Sequence, residues 1–158
     1  MSAVIDDAIE QAPGQYYRLV ILAGPSGKTA VLQSLAQKHG CTVVNVNLEL
    51  SKRMLELTRS QRLRQVEPLL KSIIASAPGD LVLLDNLEIL FDPALEVEPV
   101  RLLQVSSRNR TVVATWNGSF DGRTLTYAEP GHPEFIQFKK VDAVVIPVGS
   151  AAASTGKH

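Results

Sequence analysis

The chain contains little cysteine, no net charge and no long apolar run, and each shortage excludes a class of protein. Cys41 is the only cysteine among 158 residues, which excludes internal disulfides and cysteine-based zinc sites. Sixteen basic residues balance sixteen acidic residues, so no overall charge attracts nucleic acid. No uncharged stretch approaches the roughly 18 residues of a membrane helix. The N-terminus lacks a basic segment followed by an apolar one, so we expect a cytoplasmic protein without a secretory signal.

What the chain does contain is an apolar run that breaks into a glycine-rich turn and then into a helical pattern. Val20–Leu22 predicts a buried strand, Gly24-Pro25-Ser26-Gly27 a turn, and Lys28-Thr29 the start of a helix. This is the context of a P-loop, in which backbone N–H groups and a helix N-terminus bind phosphate. Residues 24–29 are therefore the predicted nucleotide-binding residues. Lys28 would neutralise the outer phosphates, and Thr29 would offer its hydroxyl to Mg²⁺.

The P-loop pattern is incomplete at its first glycine. The consensus expects glycine at position 22, where this chain has Leu22, and Gly24 comes two residues too late. A shorter loop directs fewer amides at the phosphates, so we expect weak affinity. The alternative is an ordinary Gly-Pro-Ser-Gly surface turn followed by an exposed lysine.

A second motif supplies the acidic partner of the loop. Leu81–Leu84 is an apolar run that predicts a strand buried on both faces, and Asp85 ends it. Ligands of open α/β sheets bind at the carboxyl ends of the strands, where Asp85 and the loop would converge. Asp85 would then hold Mg²⁺ through a water, as a Walker B aspartate does.

A third strand, within Arg110–Asn117, ends in polar residues at the same predicted edge. Asn117 could face the γ-phosphate there and orient the attacking water. Asn117-Gly118 is also a common turn dipeptide, so a plain turn is the alternative interpretation.

The rest of the chain alternates strands with helices. Strands are predicted over 16–22, 41–47, 80–85, 110–115 and 142–147, and helices over 2–12, 28–39, 51–76 and 94–107, with Pro68 a candidate interruption. Such alternation predicts an α/β protein, a three-layer α/β/α P-loop NTPase core with about five mainly parallel strands, helices on both faces and no C-terminal lid domain. We expect one domain over residues 1–150 and a disordered tail over 151–158.

Two segments depart from the alternation. Between 118 and 140, turn-like stretches flank an exposed strand at 123–127 and a second arm at 135–138, which predicts a β-hairpin insertion. Residues 51–64 contain five basic residues and one acidic residue, Glu56. The basic residues are Lys52, Arg53, Arg59, Arg62 and Arg64. This basic face is either an ordinary solvated helix surface or a patch that meets DNA or an acidic protein.

The order of these motifs resembles the additional-strand (ASCE) P-loop ATPases, including AAA+, and Val113–Asn117 is similar to the AAA+ sensor-1 segment. More narrowly, the chain resembles the BrxF family, the small P-loop proteins of type 3 BREX phage-defence systems. The residues that carry this resemblance lie in Ala23–Thr29, Leu84–Phe91 and Leu125–Glu134. The resemblance implies a homo- or hetero-oligomer with other BREX proteins, such as a large ATPase, a methyltransferase and an alkaline-phosphatase-like protein.

Two departures from AAA+ bear on the mechanism. The position after the Walker B aspartate, usually the glutamate that acts as general base, is Asn86, and an amide cannot take a proton from water. Glu88 is the nearest substitute, although it could instead be a solvated helix residue. With no lid to supply an arginine to the γ-phosphate, Arg108, Arg110 and Arg123 become candidates for a contact made in trans.

The expected function is ATP binding with slow hydrolysis, used as a switch in an anti-phage complex. Lys28, Asp85, Glu88 and Asn117 are the predicted catalytic residues, Thr29 and Asp85 the predicted Mg²⁺ ligands, and ATP is the default because no guanine-specificity motif is present. The alternative is a degenerate P-loop scaffold or DNA-binding adaptor that works through the basic face at 51–64. A small-molecule kinase is disfavoured because no arginine-rich lid segment is seen.

Overall fold

The computed structural model describes residues 2–128, 136–139 and 141–149, which form two sheets and five α-helices. The strands are β1 Leu19–Ala23, β2 Val43–Asn45, β3 Leu81–Asp85, β4 Thr111–Trp116, β5 Gly118–Phe120, β6 Leu125–Tyr127, β7 Ile136–Phe138 and β8 Val144–Pro147. The helices are α1 Ser2–Gln11, α2 Lys28–His39, α3 Val46–Met54, α4 Arg59–Ser76 and α5 Pro99–Ser106. Short 3-10 turns cover Ala12–Gly14, Glu88–Phe91 and Pro93–Leu95.

The larger sheet is entirely parallel and runs in the order β2-β3-β4-β1-β8. β4 lies between the strand that leads into the glycine-rich loop and the strand that ends at Asp85. In this register Ala23 pairs with Trp116, and Leu84 pairs with Ala114. The carboxyl ends of β1, β3 and β4 therefore meet at one edge, which is where parallel α/β sheets bind ligands.

Alternating side chains of the buried strands serve two separate cores. In β1, Leu19, Ile21 and Ala23 face the core beneath α3, α4 and α5, whereas Val20 and Leu22 face the core beneath α1 and α2. This double burial is why the strands read as unbroken apolar runs. The arrangement is the predicted three-layer α/β/α P-loop NTPase fold, and the fold class is confirmed. Within the described residues, only Val148 and Gly149 follow β8.

The predicted helix over 51–76 is two helices, and the break lies before Pro68 instead of at it. Thr58 caps the N-terminus of α4 through a capping box with Gln61, so a new helix begins after Thr58 instead of continuing α3. Pro68 is exposed and continues α4. Asn45 caps α3 by accepting a hydrogen bond from the Leu48 amide, which ends the strand predicted over 41–47 after only three residues.

The helix predicted over 94–107 is also shorter than expected. A 3-10 turn occupies Pro93–Leu95, and α5 begins only at Pro99. Glu96 separates them because its backbone takes a left-handed conformation, with φ of 53°, which an α-helix cannot include.

The hairpin predicted within 118–140 is a three-stranded antiparallel sheet, β5-β6-β7. Gly118–Phe120, expected to be a turn, forms its first strand, and Leu125 and Tyr127 of the strand expected to be exposed are buried. An aromatic cluster attaches this sheet to the core. The Phe91 ring stacks on Tyr127 with centroids 3.6 Å apart, and the Trp116 ring meets the rings of Phe91, Tyr127 and Phe138 edge-on.

Residues 129–135, within the insertion predicted over 118–140, and the tail predicted over 151–158 lie outside the described residues. Among the helices that the structure does describe, none combines the length and the apolar character needed to cross a membrane.

Candidate functional site

The glycine-rich loop occupies residues 24–27 between β1 and α2. Gly27 caps α2 in a left-handed conformation, with φ of 83°, so the loop turns directly into the helix N-terminus. The Lys28 ammonium folds back and donates a hydrogen bond to the Gly24 carbonyl. Helix α2 has no acidic residue of its own in its first turn, so the partial positive charge of its N-terminus is open to negative groups from other elements.

Asp85 lies opposite the loop and joins it directly. The Thr29 hydroxyl donates a hydrogen bond to Asp85 Oδ2 at 2.8 Å, and the Thr115 hydroxyl donates one to Oδ1 at 2.7 Å. The backbone N–H of Asn86 also donates a hydrogen bond to Asp85 Oδ1, at 2.9 Å. Both carboxylate oxygens of this buried side chain therefore have fixed partners, which sets its orientation toward the helix start.

Glu88 is held beside Asp85 by two amide side chains. Asn47 Nδ2 donates to Glu88 Oε1 at 2.9 Å, and Asn117 Nδ2 donates to Glu88 Oε2. Asn47 is itself fixed, because its Oδ1 accepts a hydrogen bond from the Ile89 amide at 2.7 Å. The half-buried Glu88 carboxylate is thus pinned between the start of α3 and the end of β4.

The backbone at Asn86 explains how Glu88 reaches the site. Asn86 has φ of 57°, a left-handed conformation that asparagine tolerates better than glutamate does. The backbone carbonyl of Asn86 accepts a hydrogen bond from the backbone N–H of Asn47 at 2.9 Å, which keeps the bend in place. The bend directs the chain into the 3-10 turn that begins with Glu88.

The electrostatic environment of Lys28 is mixed. Burial of this side chain, which is 8% exposed, lowers the pKa of its ammonium below the usual 10.5. The negative charges of Asp85 and Glu88 act in the opposite direction and raise it, but burial is the larger effect. A negatively charged ligand in the cleft would favour the protonated lysine further.

These side chains border one cleft with a volume of about 530 Å³. Its lining residues are Pro25, Ser26, Gly27, Lys28, Thr29, Ala30, Asp85, Asn86, Glu88 and Asn117. The structure thus brings together the sequence-predicted residues of the loop, of β3 and of β4. Gly24 is the exception, since it lies behind the lining and packs against Val148.

The chemistry of the cleft fits Mg²⁺. Thr29 and Asp85 present hydroxyl and carboxylate oxygens, the hard donors that this cation prefers. Within residues 2–128, 136–139 and 141–149, no group of three or more His, Cys, Asp or Glu side chains is placed to hold a metal. A magnesium ion here would take its remaining ligands from phosphate and water, which is usual for this ion.

A larger cleft of about 590 Å³ lies between α4 and the segment leading into α5. Three acidic and three basic side chains line it, namely Arg64, Glu67, Lys71, Glu96, Glu98 and Arg101. We place the functional site in the smaller cleft, because that is where the strand ends, the helix N-terminus and the fixed polar side chains converge.

The arginines considered for a contact in trans have different surroundings. Arg110 donates to the carbonyls of Ile74, Ala77 and Gly79, so its guanidinium is engaged within the chain. Arg108 lies over the Tyr16 ring at 4.0 Å from the centroid. Arg123 is exposed in the turn between β5 and β6.

The basic segment at 51–64 is less positive than its sequence indicates. Glu49, just outside the segment, pairs with Lys52 at 3.6 Å and with Arg53 at 2.6 Å. The Arg62 guanidinium donates to the Leu57 carbonyl at 3.2 Å and is half-buried. Arg59 and Arg64 are exposed.

Two polar residues that hold the site together, Thr115 and Asn47, are not among the predicted site residues. Thr115 is visible as a polar residue at the end of an apolar strand, the same signal that marks Asn117. Asn47 carries no such signal, since it lies one residue into α3 and its partner Glu88 is 41 residues away.

Comparison with solved structures finds matches of low sequence identity. The crystal structure of a DNA replication initiation factor matches with 14% identity and a TM-score of 0.48, over 99% of this chain and 48% of that one. AMPPCP-bound DnaA from Aquifex aeolicus matches with 21% identity and a TM-score of 0.42, over 73% and 37%. A replication initiator DnaA bound to AMPPCP and single-stranded DNA matches with 17% identity and a TM-score of 0.47, over 94% and 45%.

The chain therefore spans less than half the length of each of these proteins. At such identities and TM-scores the likeness carries no argument about ligand or activity. No protein-family model and no curated protein matches the chain.

Proposed function

We propose that the protein binds ATP with Mg²⁺ in the cleft formed by the glycine-rich loop, Asp85 and Glu88. The observation that carries this proposal is the 2.8 Å hydrogen bond from Thr29 to Asp85. It places a hydroxyl at a helix N-terminus against a carboxylate at a strand end, beside a buried lysine. These are the groups that hold a magnesium-bound polyphosphate in P-loop proteins.

Each side chain has a distinct task in the proposed complex. Lys28 leaves the Gly24 carbonyl and neutralises the outer phosphates, while the loop amides and the α2 N-terminus bind phosphate oxygens. Thr29 and Asp85 hold the metal, which supplies charge neutralisation at the phosphates when bound. Asn117, which lines the cleft, would contact the γ-phosphate or a water beside it.

We further propose that Glu88 is the general base of a slow hydrolysis. Its carboxylate borders the cleft and can accept a proton from water, which the Asn86 amide cannot. The hydrogen bonds from Asn47 and Asn117 orient the carboxylate, and each engages one of its oxygens in the ligand-free protein. Each oxygen retains a further lone pair, so a water in the cleft can donate to Glu88 while both bonds are in place.

Calorimetric titration with ATP·Mg²⁺ tests the binding proposal. The unmodified protein should bind, and Lys28→Ala should abolish measurable binding because it removes the cation that faces the phosphates. Lys71→Ala is the matched control, since Lys71 is exposed on α4 and, among the described residues, forms its ion pair with Glu67 of the same helix. Absence of binding by the unmodified protein would overturn the proposal and support a scaffold role.

The biological setting that we propose is a type 3 BREX phage-defence complex, with the nucleotide acting as an assembly switch. The support is the resemblance of residues 23–29, 84–91 and 125–134 to the BrxF family. A test is sedimentation of the purified chain with each purified BREX component, with and without ATP·Mg²⁺. We expect association with at least one component to depend on nucleotide and on Lys28. Equal sedimentation under all conditions would count against the switch.

A second candidate function is DNA binding through the basic face at 51–64. Exposed Arg59 and Arg64 favour it, whereas the ion pairs of Glu49 with Lys52 and Arg53 weaken it. Fluorescence anisotropy with labelled DNA at several salt concentrations tests it, because phosphate contacts produce a steep salt dependence. Binding that Arg59→Ala with Arg64→Ala leaves unchanged would exclude this face.

A further inference from the structure

The segment that follows β8 packs directly against the glycine-rich loop. The Val148 amide donates a hydrogen bond to the Ala23 carbonyl at 2.7 Å, next to the first residue of the loop. The Val148 side chain is buried, and its Cγ1 lies 3.9 Å from where a Cβ of Gly27 would be. Val148 therefore fills the space on the side of the loop away from the cleft.

Glycines on both sides make this close approach possible. A Cβ on Gly24 would overlap the Val148 carbonyl oxygen. A Cβ on Gly149 would lie 2.5 Å from the Ser26 carbonyl oxygen and 3.2 Å from the Ser26 nitrogen. Neither glycine can gain a side chain unless backbone moves, since the atoms in the way are main-chain atoms.

The shortness of the loop makes its exact shape matter for binding anions. Pro25 has no N–H to offer, and the Gly24 N–H is directed at the Trp116 carbonyl at 3.4 Å. Within the loop, this leaves the amides of Ser26 and Gly27 for phosphate. A small rotation of the Ser26 peptide would thus remove a large part of the loop's binding capacity.

We propose that Val148 and Gly149 are positioning residues for phosphate binding, which hold the short loop in its anion-binding shape by packing against Gly24, Ser26 and Gly27. The proposal rests on the proposed function, because it concerns the same cleft. It adds that the loop is braced from behind by the segment after β8, which no motif in the sequence indicates.

The chain offers a closely matched pair of variants for the test. Gly149 has φ of 104° and Gly122 has φ of 100°, so alanine meets the same backbone strain at both positions. Among the described residues, no atom beyond the two adjacent residues lies within 4 Å of a Cβ on Gly122, whereas a Cβ on Gly149 meets Ser26. The difference between Gly149→Ala and Gly122→Ala therefore isolates the contact with the loop.

Binding of ATP·Mg²⁺ and of inorganic triphosphate should be titrated for both variants. We expect Gly149→Ala to raise the Kd for each ligand about tenfold over Gly122→Ala, which equals about 1.4 kcal/mol. Because a Cβ on Gly149 forces backbone atoms to move, Gly149→Ala should also have the lower thermal midpoint, so both titrations are made at a temperature at which both variants are folded. An equal factor for both ligands would locate the effect at the phosphates, because triphosphate has no base or ribose.

A second measurement needs no ligand. In amide NMR spectra of the free proteins, the signals of Ser26 and Gly27 should move in Gly149→Ala and stay in place in Gly122→Ala. If the unmodified protein binds neither ligand, the proposed function fails, whatever these spectra show. If it binds and the two variants bind equally, the positioning role fails while the proposed function stands.

Val148→Ala covers the case in which Gly149→Ala does not fold. This variant shortens the side chain behind Gly27 and adds no atom, so it cannot collide with the loop. It should also raise both Kd values, together with the mobility of the loop amides. Unchanged Kd values in a folded Val148→Ala protein would overturn the proposal.

Discussion

The two walls of the cleft are built in different ways. The loop wall, residues 25–29, takes its shape from backbone packing, in which Gly24 admits main-chain atoms of Val148 and Gly149 admits those of Ser26. The acidic wall, Asp85 and Glu88, takes its shape from side-chain hydrogen bonds with Thr29, Thr115, Asn47 and Asn117. Steric contact fixes the loop wall, whereas the acidic wall is fixed by hydrogen bonds whose donors could be replaced by other donors.

This difference indicates how each wall should respond to change. A substitution in the loop wall alters shape and hence the affinity for phosphate. A substitution in the acidic wall leaves the shape intact but alters charge and hydrogen bonding, and hence metal binding and proton transfer. The expected effects decrease in the order Glu88, Asp85, Lys28 and Asn86.

Glu88→Gln should cause the largest change, and only in turnover. The amide keeps the size of the side chain but cannot accept a proton, so the rate of ATP hydrolysis should fall by about 100-fold or more. ATP·Mg²⁺ affinity, measured by calorimetry, should stay within a few fold. Glu67→Gln, at an exposed position on α4, is the control. Unchanged turnover would remove Glu88 from the mechanism.

Asp85→Asn should weaken the metal-dependent part of binding by about 10- to 100-fold, the range seen when groups that orient a metal's ligands are lost. The amide loses the negative charge and can no longer accept from both Thr29 and Thr115 while keeping the same orientation. Titrations with and without Mg²⁺ measure the effect. Equal losses in both conditions would show that Asp85 serves the loop wall instead of the metal.

Binding to the loop wall should depend on pH through Lys28. Burial lowers the pKa of Lys28, so the ammonium begins to deprotonate at a lower pH than a free lysine, whose pKa is 10.5. ATP affinity should therefore fall as the pH rises through the lowered pKa. The decline approaches tenfold per pH unit above it. Lys28→Arg should show no such decline, because guanidinium stays charged. A parallel decline in both proteins would assign the titration to another group.

The same pKa has the opposite consequence for the stability of the ligand-free protein. Between the lowered pKa and 10.5, the unfolded chain keeps the Lys28 proton that the folded chain has released. The contribution of Lys28 to the free energy of unfolding therefore rises with pH across this window. Lys28→Arg again removes the dependence.

Asn86→Glu should cause the smallest change and no gain in hydrolysis. Glutamate restores the consensus residue, but it must adopt the left-handed conformation, which costs about 1 kcal/mol in the free energy of unfolding. Asn86→Gly, which tolerates this backbone, is the control. Denaturant unfolding and turnover measure both effects. A faster enzyme with Glu at 86 would indicate that the base belongs there and not at Glu88.

The comparison of the two walls also separates what the sequence could predict from what it could not. Gly27, Lys28, Thr29 and Asp85 follow local patterns of strand, turn and helix, and parallel topology alone brings such strand ends together. The α/β architecture could be predicted from the sequence for the same reason. The first and last residues of the helices were harder to predict, because caps such as the box of Thr58 and Gln61 override apolar periodicity.

The contacts that were not predicted join residues far apart in the chain. Asn47 meets Glu88 only because α3 starts beside the bend at Asn86, and that bend depends on one backbone torsion angle. Gly149 meets Ser26 only because β8 pairs with β1 in the observed register. Neither torsion angles nor strand register can be read from local composition.

The aromatic cluster at the end of β4 gives the protein a natural optical reporter. Trp116 is the only tryptophan in the chain, its indole lies among the rings of Phe91, Tyr127 and Phe138, and the next residue is Asn117. Its emission therefore comes from a single place next to the cleft. Occupancy could be followed in unlabelled protein, in real time, from the colour and intensity of that one fluorophore.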